Sequence, residues 1–209
     1  MAEAVDYFTN HRLKIRFPWS LYHRPIIDAL RATLETRPGT DVLNLGSGPF
    51  LELPELGRLD HRFTLADIDP RAISLARELH GSALVDAKVI EADKPLPFAD
   101  AQFDVVVSMD VIEHVPDPLP WLKDAVRVLR PGGTLFLTTP NYASLSLRVL
   151  EATALEAVAR LQGFSRANLH PSKMTPARLR GLFAETSCAN PSIDTIALGW
   201  VLAVSARKA

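Results

Sequence analysis

The sequence predicts an α/β protein built on a parallel sheet with helices on both faces. Three observations carry that reading. Apolar segments of strand length alternate with segments of helical periodicity from residue 20 to residue 140. Val105-Val106-Val107 is apolar without alternation, which suits a strand covered on both sides. Val42-Leu43-Asn44-Leu45 runs into Gly46-Ser47-Gly48, and about twenty residues later Leu65-Ala66 leads into Asp67-Ile68-Asp69-Pro70. That is the pattern of a strand, a tight turn open to a ligand, and a second strand ending on an acid.

The elements follow in order. Leu21, Ile26, Ile27, Leu30 and Leu34 recur at helical spacing over 20–37 and stop before Pro38-Gly39. The first strand is 41–45 and the second 62–67, with a short helix or loop between them interrupted by Pro54 and Gly57. The next helix runs from Pro70 to His80, with Asp69 placed to cap it, Pro70 at its first position and Gly81 ending it. Strands three to five are expected at 88–92, 103–109 and 134–138, with a helix over 119–129 that breaks at Arg130-Pro131-Gly132-Gly133. Residues 143–161 form a helix-prone stretch rich in Leu and Ala, 163–174 read as loop, and Thr175-Pro176 opens another helix. Two apolar runs joined near Gly199 suggest a closing antiparallel pair at the sheet edge.

A chain of 209 residues has the length of one domain and can bury roughly 70% of the surface it exposes when unfolded. Its 23 basic and 24 acidic residues give a formal charge of −1, which offers no field suited to a polyanion and argues against nucleic acid. Cys188 is the only cysteine, so no intramolecular disulfide or thiolate metal cluster is available, and a reducing, cytoplasmic location is expected. The first residues have acids where a signal peptide carries positive charge, and no apolar run approaches the ~20 residues of a membrane span.

The glycine turn implies a nucleoside-bearing ligand, because missing side chains let backbone N–H groups come close. Leu51 stands where the dinucleotide fingerprint has its third glycine. A pyrophosphate then has no seat on a helix N-terminus, which argues against a nicotinamide cofactor.

Five ordered segments resemble the class I S-adenosylmethionine-dependent methyltransferases, in the small-molecule group that includes the ubiquinone-biosynthesis O-methyltransferases: VLNLGSGPF, LADIDP, EADKPLPFADAQFDVVVS, MDVIEHVPDP and LRPGGTLFLTTPN. The resemblance covers residues 25–140 well and the rest loosely. It implies a Rossmann-like, doubly wound seven-stranded sheet, mostly parallel, with an antiparallel terminal strand. The whole chain is then one methyltransferase domain: an N-terminal cap over 1–37, a cofactor-binding core over 38–140, a substrate-side insert over 141–174, and a closing helix and strand pair over 175–209.

For the cofactor, S-adenosyl-L-methionine, the resemblance places Gly46, Ser47 and Gly48 against the methionine part and Asp67, beside Ile68, at the ribose hydroxyls. Asn44 stands where the family has an acid, and its neutral amide loses the charge-assisted part of any bond to the cofactor's ammonium. Asp93 falls near the adenine, with a linker one residue short, so that Ala92 and Lys94 share that contact through their backbones. Ser108 and Met109 would lie beside the transferable methyl. A solvated turn is the alternative role for Asp67, and a helix cap for Asp69.

Methyl transfer from a sulfonium mainly needs alignment and exclusion of water. For a hydroxyl acceptor a base helps, and His114 is the first choice, with packing over the cofactor as its alternative role. His170 is the second choice, in a loop that lies near the substrate in related enzymes. Asp110, Glu113 and His114 at i, i+3 and i+4 share one face of a helical turn, and some ubiquinone-type relatives hold a divalent cation with such a set. Glu113 has a backbone-bonding alternative.

The acceptor pocket is expected from Tyr7, Phe8, Phe17, Trp19, Tyr22 and His23 together with an apolar wall at 145–161, which suits a moderately hydrophobic molecule. Arg16, Arg24, Arg148 and Arg166 are candidates for an anionic acceptor, with surface roles as the alternative. The reaction expected is methyl transfer to oxygen of a small molecule. The alternatives are transfer to nitrogen or carbon, or a cofactor-binding but silent partner subunit, suggested by Asn44 and the short Asp93 linker. The apolar stretch 145–161 also offers a contact for a membrane surface or a protein.

Overall fold

The computed structural model describes residues 19–57, 60–156 and 170–209. Helix α1 (Ser20–Glu35) delivers β1 (Asp41–Leu45), and a single 3-10 turn, Leu53–Leu56, separates it from β2 (Arg62–Asp67). Then come α2 (Pro70–His80), β3 (Leu84–Val89), β4 (Phe103–Met109), α3 (Pro118–Arg127) and β5 (Leu129–Pro140). Helix α4 (Leu145–Leu150) continues as a π turn over Glu151–Leu155. Helix α5 (Pro176–Ala184), β6 (Cys188–Ile196) and β7 (Val201–Lys208) close the chain. The seven strands form one sheet of order β3-β2-β1-β4-β5-β7-β6, parallel from β3 to β5, with β7 antiparallel to both neighbours. The fold class expected from the sequence is borne out.

Consecutive strand residues face opposite layers, which explains the unbroken apolar runs. Leu43, Val106 and Leu137 pack with Leu122 of α3 and Phe183 of α5. Val42, Val105 and Val107 pack on the other side with Leu30 of α1 and Ile73 of α2. Asp69 caps α2 as expected, its Oδ1 accepting from the Arg71 amide at 2.9 Å. The order of strands reverses between β1 and β4, so their carboxyl ends open the crevice in which α/β sheets bind ligands.

Several boundaries differ from the sequence reading. Strand β3 starts four residues earlier than expected, at Leu84 rather than Lys88. A 3-10 turn, Gly81–Ala83, follows α2 directly and starts the pairing at Phe63↔Leu84, and the ladder ends where β2 does, at Asp67↔Val89. As an edge strand, β3 leaves Val85 and Val89 exposed, which blurs its pattern. Strand β5 is longer than 134–138 because Leu129 already pairs with Phe103 and Arg130–Gly133 bulge out before Val105↔Thr134. Leu21 of α1 faces outward, at 45% exposure. Of the 145–161 stretch, Leu145 and Val149 are exposed, and 157–161 lie outside the described residues, as do Tyr7, Phe8, Arg16, Phe17 and Arg166.

Candidate active site

At the carboxyl end of β1 the chain turns through Gly46 (φ 70°) and Gly48 (φ 53°), backbone conformations that favour glycine. The Gly46 and Ser47 amides donate to the Ala66 carbonyl at 2.7 and 3.2 Å. The Gly48 amide donates to Asp67 Oδ2 at 2.7 Å, and Asp69 N–H donates to Asp67 Oδ1 at 2.8 Å. Asp67 therefore clamps the turn to the start of α2. A Cβ on Gly46 would stand 2.4 Å from a Val111 methyl, whereas one on Gly48 would meet nothing within 4 Å. The turn is packed beneath and open above. That opening, with a carboxylate beside it, fits a ligand carrying a vicinal diol, since each carboxylate oxygen accepts more than one hydrogen bond.

The open side is a cavity of about 730 Å³. Gly46, Ser47, Gly48, Asp67 and Met109 line it, as the sequence reading expected. So do Asp110, Glu113, His114 and His170, together with Trp19, Tyr22 and His23 from the start of α1. Asn44, Ile68, Asp93, Lys94 and Ser108 do not. Asn44 is 1% exposed within β1, and neither atom of its carboxamide has a hydrogen-bond partner. Ser108 is buried, donating to the Leu45 carbonyl at 2.9 Å. Ile68 is exposed, and Lys94 pairs with exposed Glu91 at 2.7 Å. Asp93 is exposed in the same loop.

Beyond β4, Asp110 takes a positive φ of 53° and a 3-10 turn, Ile112–His114, follows. Asp110 Oδ1 accepts from Thr138 at 3.0 Å, and Glu113 Oε2 from Thr139 at 2.9 Å, so two adjacent β5 hydroxyls hold the two carboxylates. Tyr22 bonds Asp110 from α1. Burial, then the charges of Asp110 and Glu113, hold the Tyr22 hydroxyl well above its usual range. Burial, then the Asp110 charge, hold the Glu113 carboxyl well above the carboxylate range.

The folded chain thus retains the Glu113 proton at pH values where the unfolded chain has lost it, and stability falls as pH rises past the unfolded value. Glu113→Gln removes that cost. In chelator-treated protein, the urea midpoint of the variant should exceed the wild type's by a gap that widens from about pH 4 to about pH 8. A constant gap would contradict the buried, protonated assignment.

Two backbone bonds bring the segment after residue 169 to this turn. Ser172 N–H donates to the Glu113 carbonyl at 3.0 Å and Tyr142 N–H to the Met174 carbonyl at 2.9 Å. His170 therefore meets His114 edge to face, ring centroids 4.8 Å apart. The Tyr142 hydroxyl bonds His170 Nδ1 and also donates to Glu151 Oε1 at 3.3 Å. Glu113, His114 and His170 each offer a ligand atom within 4.8 Å of the others. Asp110, grouped with Glu113 and His114 from its spacing, is not in that set, and His170 takes the third place. Sequence reasoning missed Tyr142 and Glu151, because their meeting with His170 depends on a long-range docking that no local pattern records.

Residues 43–137 match the methyltransferase-domain family Methyltransf_11. The ubiquinone biosynthesis O-methyltransferase of Xanthomonas campestris pv. campestris is 38% identical over 128 residues, 59% of this chain and 52% of that protein. The protein of the same name from Xanthomonas oryzae pv. oryzae is 36% identical over 140 residues, 65% of this chain and 56% of its own length. The chain spans about half the length of the curated relatives it matches. Among solved structures, the complex of the Haloferax volcanii Trm112 methyltransferase activator with a methyltransferase superposes with a TM-score of 0.75 at 18% identity, covering 97% of this chain and 94% of that one. A SAM-dependent methyltransferase from Aquifex aeolicus gives 0.66 at 14%, covering 95% and 98%. At those identities the structures speak to the fold alone.

Proposed function

We propose that this chain, which carries a methyltransferase domain and resembles the S-adenosylmethionine-dependent methyltransferases, transfers a methyl group to a hydroxyl of a small, moderately hydrophobic acceptor. The observation that supports this most is one cavity lined both by the Gly46–Gly48 turn with Asp67 and by Glu113, His114 and His170. S-adenosylmethionine, when bound, supplies a methyl group on an electron-poor sulfur. Asp67 accepts from the ribose hydroxyls, while the backbone of Gly46 to Gly48, bare of side chains, approaches the methionine part. Ile68, Asp93 and Lys94 belong to loops at the same end of the sheet and serve the adenine side.

Alignment and exclusion of water do most of the work. Trp19, just before α1, and Tyr22 and His23 in its first turn wall the cavity and keep water from the reacting groups. His170 removes the acceptor's proton. With the Tyr142 hydroxyl donating to Glu151, it accepts from His170 Nδ1–H, which leaves the lone pair of the neutral ring on Nε2. His114 supports the His170 ring. The test is S-adenosylhomocysteine formation across a panel of catechols and hydroxybenzoates. His170→Gln should lower kcat by 10²–10⁴-fold and remove the rise of rate with pH, typical of losing a general base, while S-adenosylhomocysteine binding stays within twofold. Unchanged turnover in that variant would reject His170 as the base.

The cluster of Glu113, His114 and His170 supports a second reading. One carboxylate and two imidazoles suit a divalent transition-metal ion, which would lower the pKa of an acceptor hydroxyl. Turnover that a chelator abolishes and a divalent cation restores would favour this reading over the free base.

A further inference from the structure

A second cavity, of about 780 Å³, lies beside the first, and the two share Glu151 and His170 in their walls. Its floor and one side come from α4 and the π turn through Leu145, Val149 and Ala152, with Tyr142 facing them. Leu145 is 70% and Val149 54% exposed, so this helix presents apolar surface toward open space. Arg148 and Lys173 also line the cavity. Lys173 Nζ lies over the Tyr142 ring, 5.6 Å from its centroid.

Neither cation has a carboxylate partner among the described residues, whereas the two acids in the same wall are already engaged: Glu151 with Tyr142, and Glu156 with a partner of its own. An apolar trough that ends at an imidazole and carries two unmatched cations is suited to one class of ligand. Its body would be apolar, and an anionic group would sit on it away from the reacting end.

We propose that this second cavity is the subsite for the body of the methyl acceptor, and that it takes an apolar molecule bearing a carboxylate or sulfonate. The proposal rests on the methyltransferase reading above and adds the acceptor's class and its place. The acceptor's hydroxyl reaches the partition formed by Glu151 and His170, next to the cofactor cavity, while Arg148 and Lys173 hold the anionic end. Because both cations are exposed, binding of the anion weakens as salt screens them.

The test uses two probes with one shared apolar body: 1-anilinonaphthalene-8-sulfonate and the uncharged N-phenyl-1-naphthylamine. Both are titrated by fluorescence into the full chain with saturating S-adenosylhomocysteine, which occupies the first cavity. Wild type should bind the sulfonate at least tenfold more tightly than the uncharged probe, and the preference should shrink with added salt. Arg148→Gln combined with Lys173→Gln should weaken the sulfonate tenfold or more and leave the uncharged probe within twofold. Ala152→Trp, which fills the trough from an exposed position, should abolish both. Equal affinities for the two probes, or sulfonate binding that survives Ala152→Trp, overturns the proposal.

Flotation with phosphatidylglycerol vesicles that needs both cations, without saturable probe binding, also overturns it and assigns the cations to a lipid surface. Calorimetry with S-adenosylhomocysteine separates this from the underlying reading. Wild type that ignores S-adenosylhomocysteine defeats the methyltransferase assignment, and the probe titrations without it still report on the trough. Intact S-adenosylhomocysteine binding with failed probe arms defeats the acceptor subsite alone.

Discussion

Gly46→Ala should both destabilise the protein and cost it most of its affinity for S-adenosylhomocysteine. The new methyl would lie 2.4 Å from Val111 Cγ2 and 3.0 Å from Cγ1, so either the turn or the segment leading to Glu113 and His114 must shift. Overpacking of this kind costs about 1–3 kcal/mol. The positive φ of 70° adds strain of about 1–2 kcal/mol for a residue with a Cβ. Val111→Ala in the same chain should return the packing part and leave the backbone part, a non-additivity that equilibrium urea unfolding measures directly. Gly48→Ala makes the contrast. Its Cβ meets nothing within 4 Å, so only the strain of about 1–2 kcal/mol is expected, while the methyl projects into the ligand's space. A Gly46→Ala protein as stable as wild type would show that Val111 does not pack against the turn.

Asp67→Ala should weaken S-adenosylhomocysteine binding tenfold to a hundredfold, about 1.4–2.8 kcal/mol. The carboxylate does two jobs. It accepts the Gly48 and Asp69 amides at 2.7 and 2.8 Å, which fixes the loop, and its remaining lone pairs face the cavity, where a ribose diol would donate. Ala removes both. Asp67→Asn keeps the size but puts an amide NH₂ where one oxygen accepted a backbone N–H, so two donors oppose each other. It should bind better than Ala at most by a few fold. Calorimetry on the three proteins checks the order.

The sheet was largely legible because its signal is local. Strands buried on both sides read as apolar runs, and Asp69-Pro70 and Gly81 mark the ends of α2 by rules of capping. Edge strand β3 was misplaced because half of it faces solvent, so its composition no longer reports its position. The bulge at Arg130–Gly133 reads in the sequence as the end of a helix, since proline and glycine punctuate both. Within the site, Gly46, Gly48 and Asp67 were legible because the motif sits in one turn and the next strand end. Glu113 and His114 were legible for the same reason.

The rest depends on tertiary contact. His170 was singled out through its loop, but its ring contact with His114, and the tether through Tyr142 and Glu151, arise because Ser172 and Met174 bond to segments far away in sequence. Asn44 is the reverse case. Its position in the motif suggested a ligand contact, yet the side chain lies inside β1 with its carboxamide unpartnered. A buried amide without a bond costs about 1–3 kcal/mol, so the position carries a penalty that no local rule foretells.

On the proposed function, the cavity above the Gly46–Gly48 turn is the site for S-adenosylmethionine. Isothermal titration of the wild-type chain with S-adenosylhomocysteine tests it most directly. The expected result is one site per chain with micromolar affinity, about −8 kcal/mol, weakened tenfold to a hundredfold by Asp67→Ala. A folded wild-type protein that gives no heat of binding and no thermal shift with saturating S-adenosylhomocysteine would contradict that assignment of the cavity.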